Sequence, residues 1–224
     1  MEYTLETLGE DALLLRFGNE IDATANDRVH ALARQIEQLR PPWLRDLVPA
    51  YASLALFVDA NGFDDAALDP LAEAQCWLRQ QAFVFDDVRI AGRLVEIPVH
   101  YGGRHGPDLA DVAAHAGLAG HEVIARHCEG VYRVAMLGFA PGFPYLLGLD
   151  SRLSTPRLDT PRTRVEAGSV GIGGAQTGIY PQAGPGGWRI IGWTACTLFD
   201  PARDPPTLLT PGDRVRFVAA TGEP

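Results

Sequence analysis

The stretch TPRLDTPRTRVEAG (residues 155–168) carries Thr-Pro-Arg twice, placing Arg157 and Arg162 on a proline-stiffened backbone with Arg164 and Glu166 close behind. Proline fixes φ, and a guanidinium fork fits a carboxylate or a phosphate, so the stretch reads as either an anion site or a solvated loop of weak surface ion pairs. His100, His105, His115, His121 and His127 all fall between residues 100 and 127. Their spacing matches no HExxH and Cys128 forms no CxxC, so no metal site is expected. Imidazole titrates near neutrality, which makes His115 and His127 candidate proton carriers, with a surface or core histidine as the plainer alternative. Glu166 is a third acid–base candidate. No GxSxG occurs, neither Ser151, Ser154 nor Ser169 has an activating context, and Cys196 in WTACTLFD reads as packing. The catalytic set is therefore otherwise unassigned.

Glycine and aromatic residues supply two further candidates. GIGGAQTG (171–178) looks like a phosphate loop, but no helix pattern and no lysine follow it. It reads instead as a tight turn whose backbone N–H groups could take an anion. GFAPGFPYLLGL (138–149) holds two near-copies of Gly-Phe-x-Pro. Gly138 and Gly142 permit turns, Pro141 and Pro144 restrict φ, and Phe139, Phe143 and Tyr145 supply large apolar faces. Such a rigid loop caps a core, lines a small-molecule pocket or anchors a partner.

The elements that must position these residues fall into two parts. Over residues 1–90, YTLETLG and ALLLRFG form a strand pair about Gly9-Glu10-Asp11. Ile21, Ala25, Val29, Leu32, Ile36 and Leu39 trace a helix stopped by Pro41-Pro42. LRDLVPAY and SLALFVD repeat the strand pair, and a second helix begins at Asp69-Pro70. Two hairpins each followed by a helix predict a ferredoxin-like α/β sandwich. The joint lies near DDVRIAGRL, and residues 91–224 form the second domain. After one strand (LVEIPVHYGG), two short helices and another strand (VYRVAML), composition shifts: 13 of the 24 glycines and 10 of the 17 prolines lie in 138–212. Short apolar runs between turns, SVGIGG, WRIIGW, TLFD and RVRFVA, predict an all-β barrel with long fixed loops. The fold class is α+β.

Charge and composition exclude whole classes of function. Residues 1–90 hold 16 Asp and Glu against 7 Arg, and residues 91–224 hold 12 against 12, so the net charge of −9 sits in the first part. That is no nucleic-acid footprint. All 19 basic residues are arginine, which rules out a P-loop lysine, a Schiff-base lysine and a biotin-carrying lysine on this chain. Without a signal peptide, a membrane span or a disulfide framework, a cytoplasmic protein is expected.

YRVAMLGFAPGFPYLLGLDSRL, TPRLDTPRTRVEAGSVGIGGAQTGIYP, GPGGWRIIGWT and LFDPARDPPTLLTPGDRVRF, in that order, resemble the family of 5-oxoprolinase B subunits, also described as KipI-like or allophanate hydrolase subunit 1 proteins. The likeness is dense from about Ile97 to Val218. It implies a ferredoxin-like domain followed by a cyclophilin-like barrel. It also implies a carboxylase-like partner, the 5-oxoprolinase C subunit, and a separate 5-oxoprolinase A subunit, which together open 5-oxo-L-proline to L-glutamate with ATP. Alternatives within the resemblance are an inhibitor of a sensor histidine kinase and a component of a urea- or allophanate-processing carboxylase. On this resemblance Arg157, Arg162 and the backbone of 171–178 are anion contacts. Phe139, Phe143, Tyr145 and Trp188 form a wall or partner anchor, and Gln176, Thr177 and Tyr180 are polar contacts. The family pattern has Pro where Glu166 stands and Gly-Arg-Thr-Pro where GWTAC places Trp193 and Ala195.

Overall fold

The computed structural model describes residues 3–63, 69–85 and 92–221. The chain divides into two units, Met1–Ile90 and Ala91–Pro224. The joint expected near DDVRIAGRL falls mostly outside the described residues.

In the first unit β1 (Thr4–Leu8) and β2 (Ala12–Arg16) pair antiparallel across a turn in which Gly9 has φ of 67°. Helix α1 (Ala23–Leu39) starts at Asp22, whose carboxylate accepts from the Ala25 amide at 2.7 Å. It stops at Arg40, which turns left-handed before Pro41-Pro42. Strands β3 (Leu44–Pro49) and β4 (Ser53–Val58) form the second hairpin. Helix α2 (Pro70–Gln80) is capped by Asp69, which accepts from the Leu71 and Ala72 amides. The sheet order is β1-β2-β4-β3, antiparallel throughout. Alternation puts Leu13, Leu15, Leu54 and Leu56 into one core with Val29, Leu32 and Ile36 of α1 and Leu78 of α2.

The second unit is a closed seven-stranded barrel with two helices. Its elements are β5 (Leu94–Tyr101), α3 (Leu109–Ala116), α4 (Gly120–Glu129), β6 (Val131–Leu137), β7 (Pro144–Leu147), β8 (Arg162–Val165), β9 (Ser169–Gly173), β10 (Gln176–Ile179), β11 (Gly184–Gly186), β12 (Arg189–Trp193) and β13 (Arg214–Ala219). The barrel runs β10-β7-β6-β13-β5-β12-β9 and closes on β10, while β8 and β11 pair as a separate ribbon. Only β13 and β5 run parallel, with Arg214 opposite Leu94 and Ala219 opposite Val99. Ile97, Val99, Tyr132, Val134, Ile172, Ile191, Val215 and Phe217 fill the interior, together with Val112 of α3 and Val123 of α4. The expected strand at TLFD does not form; that run makes a single bridge between Phe199 and Thr207. No helix among the described residues is long and apolar enough to cross a membrane.

Candidate functional site

The loop between β6 and β7 is held by its own backbone. The Gly138 amide donates to the Phe143 carbonyl at 3.1 Å and the Phe143 amide to the Ala140 carbonyl at 3.0 Å. Gly142 has φ of 78°, and a Cβ there would stand 2.9 Å from Cβ of Phe199, so the turn requires glycine on both counts. The loop builds a small core separate from the barrel interior. Phe143, Tyr180 and Trp188 are buried in it, with Val165 and Ile190. Phe143 meets Tyr180 at 5.2 Å and Trp188 at 5.4 Å, both nearly edge-on, the arrangement aromatic quadrupoles favour. Trp188 lies flat enough on β9 that a Cβ at Gly173 would come within 2.6 Å of the indole.

Two groups break the surface of this aromatic layer. Phe139 is 66% exposed, at φ of 65°, with its ring edge-on to Phe143 at 5.5 Å. A non-glycine residue in the left-handed region carries strain, and here the strain presents a large apolar ring to solvent. Arg157, also exposed, sits over the Trp188 ring at 5.7 Å. Pro141 is exposed beside Phe139, and a shallow cavity of about 350 Å³ runs along Leu137–Gly142. Tyr145 is half-buried against Phe143 and Trp188. The structure thus separates residues that the sequence grouped: Phe143 and Trp188, expected as a wall or anchor, are buried, whereas Phe139 and Arg157 are exposed.

Other candidates take positions that change their chemistry. His127 has no exposed surface; its ring stacks on Phe217 at 4.4 Å. Nδ1 lies 2.7 Å from the Tyr101 hydroxyl and Nε2 lies 3.0 Å from Thr177 Oγ1, which itself donates to the Gly171 carbonyl. One assignment satisfies all three bonds: Tyr101 O–H donates to Nδ1, and Nε2–H donates to Thr177. Burial pushes the His127 pKa down to about 3 and drives that of Tyr101 far up. His127 is therefore a neutral core histidine and not a proton carrier near neutrality. The Thr177 hydroxyl is consumed in the same chain, and Gln176 is buried beside it in β10. Tyr180 is buried as well, and its burial raises the phenol pKa.

His115 lies exposed in the last turn of α3, away from any acid or base bonded to it among the described residues. Glu166 is exposed and paired with Arg164, with oxygen–nitrogen distances of 2.8 and 3.3 Å; the hydrogen bonds from Arg164 hold its carboxyl below the usual range. It stays ionised and cannot act as an acid at neutral pH. The glycine-rich stretch 171–178 forms the β9–β10 hairpin, flanked by β12 and β7, so its amides are used in barrel ladders. Even the Gly174 amide donates to the Thr155 carbonyl.

Asp108 is a residue that sequence reasoning missed. It begins α3 but makes no cap bond. Its buried carboxylate accepts from Arg162 Nη2 at 2.7 Å and from the Ile190 amide at 2.6 Å. Nothing local signals a partner so distant in the chain.

Comparison with known proteins fits this arrangement. The model of the carboxyltransferase domain, subdomain C and D, matches residues 3–209. The 5-oxoprolinase B subunit of Bacillus subtilis (strain 168) is 44% identical over 223 residues, which is 97% of this chain and 93% of the relative. The chain belongs to the family of 5-oxoprolinase B subunits. In this family's fold the barrel and the first unit recur in the crystal structure of TTHA0988, at 40% identity and a TM-score of 0.80 over 95% of this chain. The chain spans 40% of the length of that protein. A more distant likeness, 34% identity over 89 residues, joins part of the chain to a urea amidolyase of Lachancea kluyveri, covering 5% of that protein.

Proposed function

We propose that this protein is the B subunit of an ATP-dependent 5-oxoprolinase, which hydrolyses the lactam of 5-oxo-L-proline to L-glutamate. The observation that carries the reading is the 44% identity to a 5-oxoprolinase B subunit along nearly the whole of both chains. Hydrolysis breaks the lactam C–N bond, adding hydroxyl to the carbonyl carbon and a proton to nitrogen. Such chemistry needs an activated carbonyl, a held carboxylate and proton transfer. The described residues of this chain offer no complete set of that kind, since His127 and Thr177 are locked in the core and Glu166 is paired. The site is therefore shared with two other proteins in the cytoplasm, the carboxylase-like C subunit and the A subunit of the enzyme.

The described residues form no P-loop for ATP. The chain has no lysine, and the glycine-rich hairpin spends its amides on strand pairing. Nucleotide handling belongs to the partners. This chain contributes a docking face, Phe139 with Pro141 and Arg157 over Trp188, an apolar ring and a guanidinium of the kind that dominates interface energies. Arg162 serves as an anion contact. The first unit is read as a ferredoxin-like domain (1–90): starting the count at β2 and carrying β1 to the end turns its order into β-α-β-β-α-β. The second is read as a cyclophilin-like barrel (91–224).

A second reading, a component of a urea-processing carboxylase, is favoured by the likeness to urea amidolyase. The test is reconstitution. The purified chain with 5-oxoproline and ATP releases no glutamate, and adding the carboxylase-like protein and the third component restores release. Robust activity of the single chain overturns the shared site. A reconstituted complex that consumes urea and leaves 5-oxoproline untouched favours the second reading, and isolation from cells with a histidine kinase in place of these partners favours a regulator.

A further inference from the structure

Strand β8 has two faces with different company. Val165 points into the aromatic core, whereas Arg162 and Arg164, two residues apart, and Glu166 just beyond follow the other side of the alternation. There they line a cleft of about 310 Å³ together with Arg104, His105 and Trp193. Glu166 and Trp193, two of the positions at which the chain leaves the family pattern, thus border one cavity.

The charges in this cleft do not cancel. Asp108 neutralises Arg162, and Glu166 neutralises Arg164. Arg104 donates through Nε to His105 Nε2 at 2.9 Å, and its terminal nitrogens meet no acceptor among the described residues. One positive charge is left over. Arg162, which lines the same cleft, keeps 32% of its side chain exposed while bonded to Asp108. Ser169, buried on the same wall, has a hydroxyl with no bond among the described residues. Trp193, the cross-strand partner of Ser169, is held in place: its indole Nε1 donates to the Ala167 carbonyl at 2.7 Å and its ring stacks on His105 at 5.3 Å.

We infer that this cleft binds a small monocarboxylate, with its carboxylate on the exposed Arg104 guanidinium beside Arg162 and its body against Trp193. A planar single charge matches both the guanidinium forks and the one uncompensated charge. A phosphate dianion brings one charge too many and faces Glu166. The volume suits a ligand of small-molecule size. The class of ligand follows from these residues alone; that it is 5-oxoproline rests on the function proposed above.

Calorimetric titration of the isolated chain tests this with four probes: 5-oxoproline, cyclopentanecarboxylate, the uncharged 5-oxoprolinamide and inorganic phosphate. At least one of the two carboxylates binds saturably, and the amide and phosphate bind at least about tenfold more weakly. Arg104→Ser weakens carboxylate binding about tenfold or more without moving the thermal midpoint, and Trp193→Ala does so to a similar extent in a chain that circular dichroism shows still folded. Arg162→Ala would strand the buried Asp108 and threatens folding, so those two variants decide. Equal binding of the amide, preference for phosphate, no saturable carboxylate binding, or indifference to both variants overturns the site. Binding of cyclopentanecarboxylate without 5-oxoproline leaves the site standing and counts against the 5-oxoprolinase reading.

Discussion

Phe139 and Phe143 stand in near-identical sequence, Gly-Phe-Ala-Pro and Gly-Phe-Pro-Tyr, and meet opposite fates. Phe143 keeps 2% of its surface, enclosed by Tyr145, Tyr180 and Trp188, while Phe139 keeps 66%. The backbone makes the difference. Gly142 turns the chain inward against Leu198 and Phe199, whereas Phe139 adopts the left-handed conformation itself and turns its ring out. Repetition in a sequence therefore does not imply repetition of role: one copy builds a platform and the other is displayed on it.

Truncating each ring separates platform from display. Phe143→Ala removes a buried ring and costs about 3–5 kcal/mol of folding stability, read as a lowered urea midpoint. Phe139→Ala leaves stability within about 0.5 kcal/mol and, on the function proposed above, weakens capture of the carboxylase-like subunit about tenfold or more. Equal losses of stability from the two variants would erase the distinction.

A second experiment asks whether the barrel interior is as closed as the platform. The His127 pKa falls from an ordinary 6.5 to about 3 on folding, so the unfolded chain takes up the proton first. Stability is then full above about pH 6.5 and falls as the pH drops toward 3, by about 2 kcal/mol at pH 5. His127→Gln is less stable at pH 7, but its stability changes less on going to pH 5. Identical pH slopes in the two proteins would mean that water reaches the ring.

The smallest effect concerns the edge of the display. Arg157→Ala removes a cation from the Trp188 face, an exposed contact worth about 0.5–1 kcal/mol. Partner capture weakens with it, and Arg157→Lys recovers only part of the loss because an ammonium does not stack as a guanidinium does.

Much of this was legible in the residues. Alternation and turn residues mark β1, β2, β5, β6 and β13, and Asp69-Pro70 marks the start of α2, because those signals are local. The loop at 138–149 announced its rigidity through glycine and proline. What local pattern does not carry is the direction in which a side chain is finally enclosed. His127 occupies an ordinary helical position, and only the distant Phe217 and Thr177 make it a core residue. Asp108 sits where a helix cap is expected, yet its bonds go to Arg162 and Ile190. The Arg162, Arg164 and Glu166 spacing was visible, but Arg104 and Trp193, which line the same cleft, are brought there by barrel closure.

The parallel pairing of β13 with β5 has a consequence for biosynthesis. These strands open and finish the second unit, and each completes the other's hydrogen bonding. While the ribosome is still translating toward residue 214, β5 exposes an unpaired edge and the nascent barrel has a gap in its wall. Closure is a late, long-range event, of the kind that folds slowly and leaves strand edges open to misassembly meanwhile.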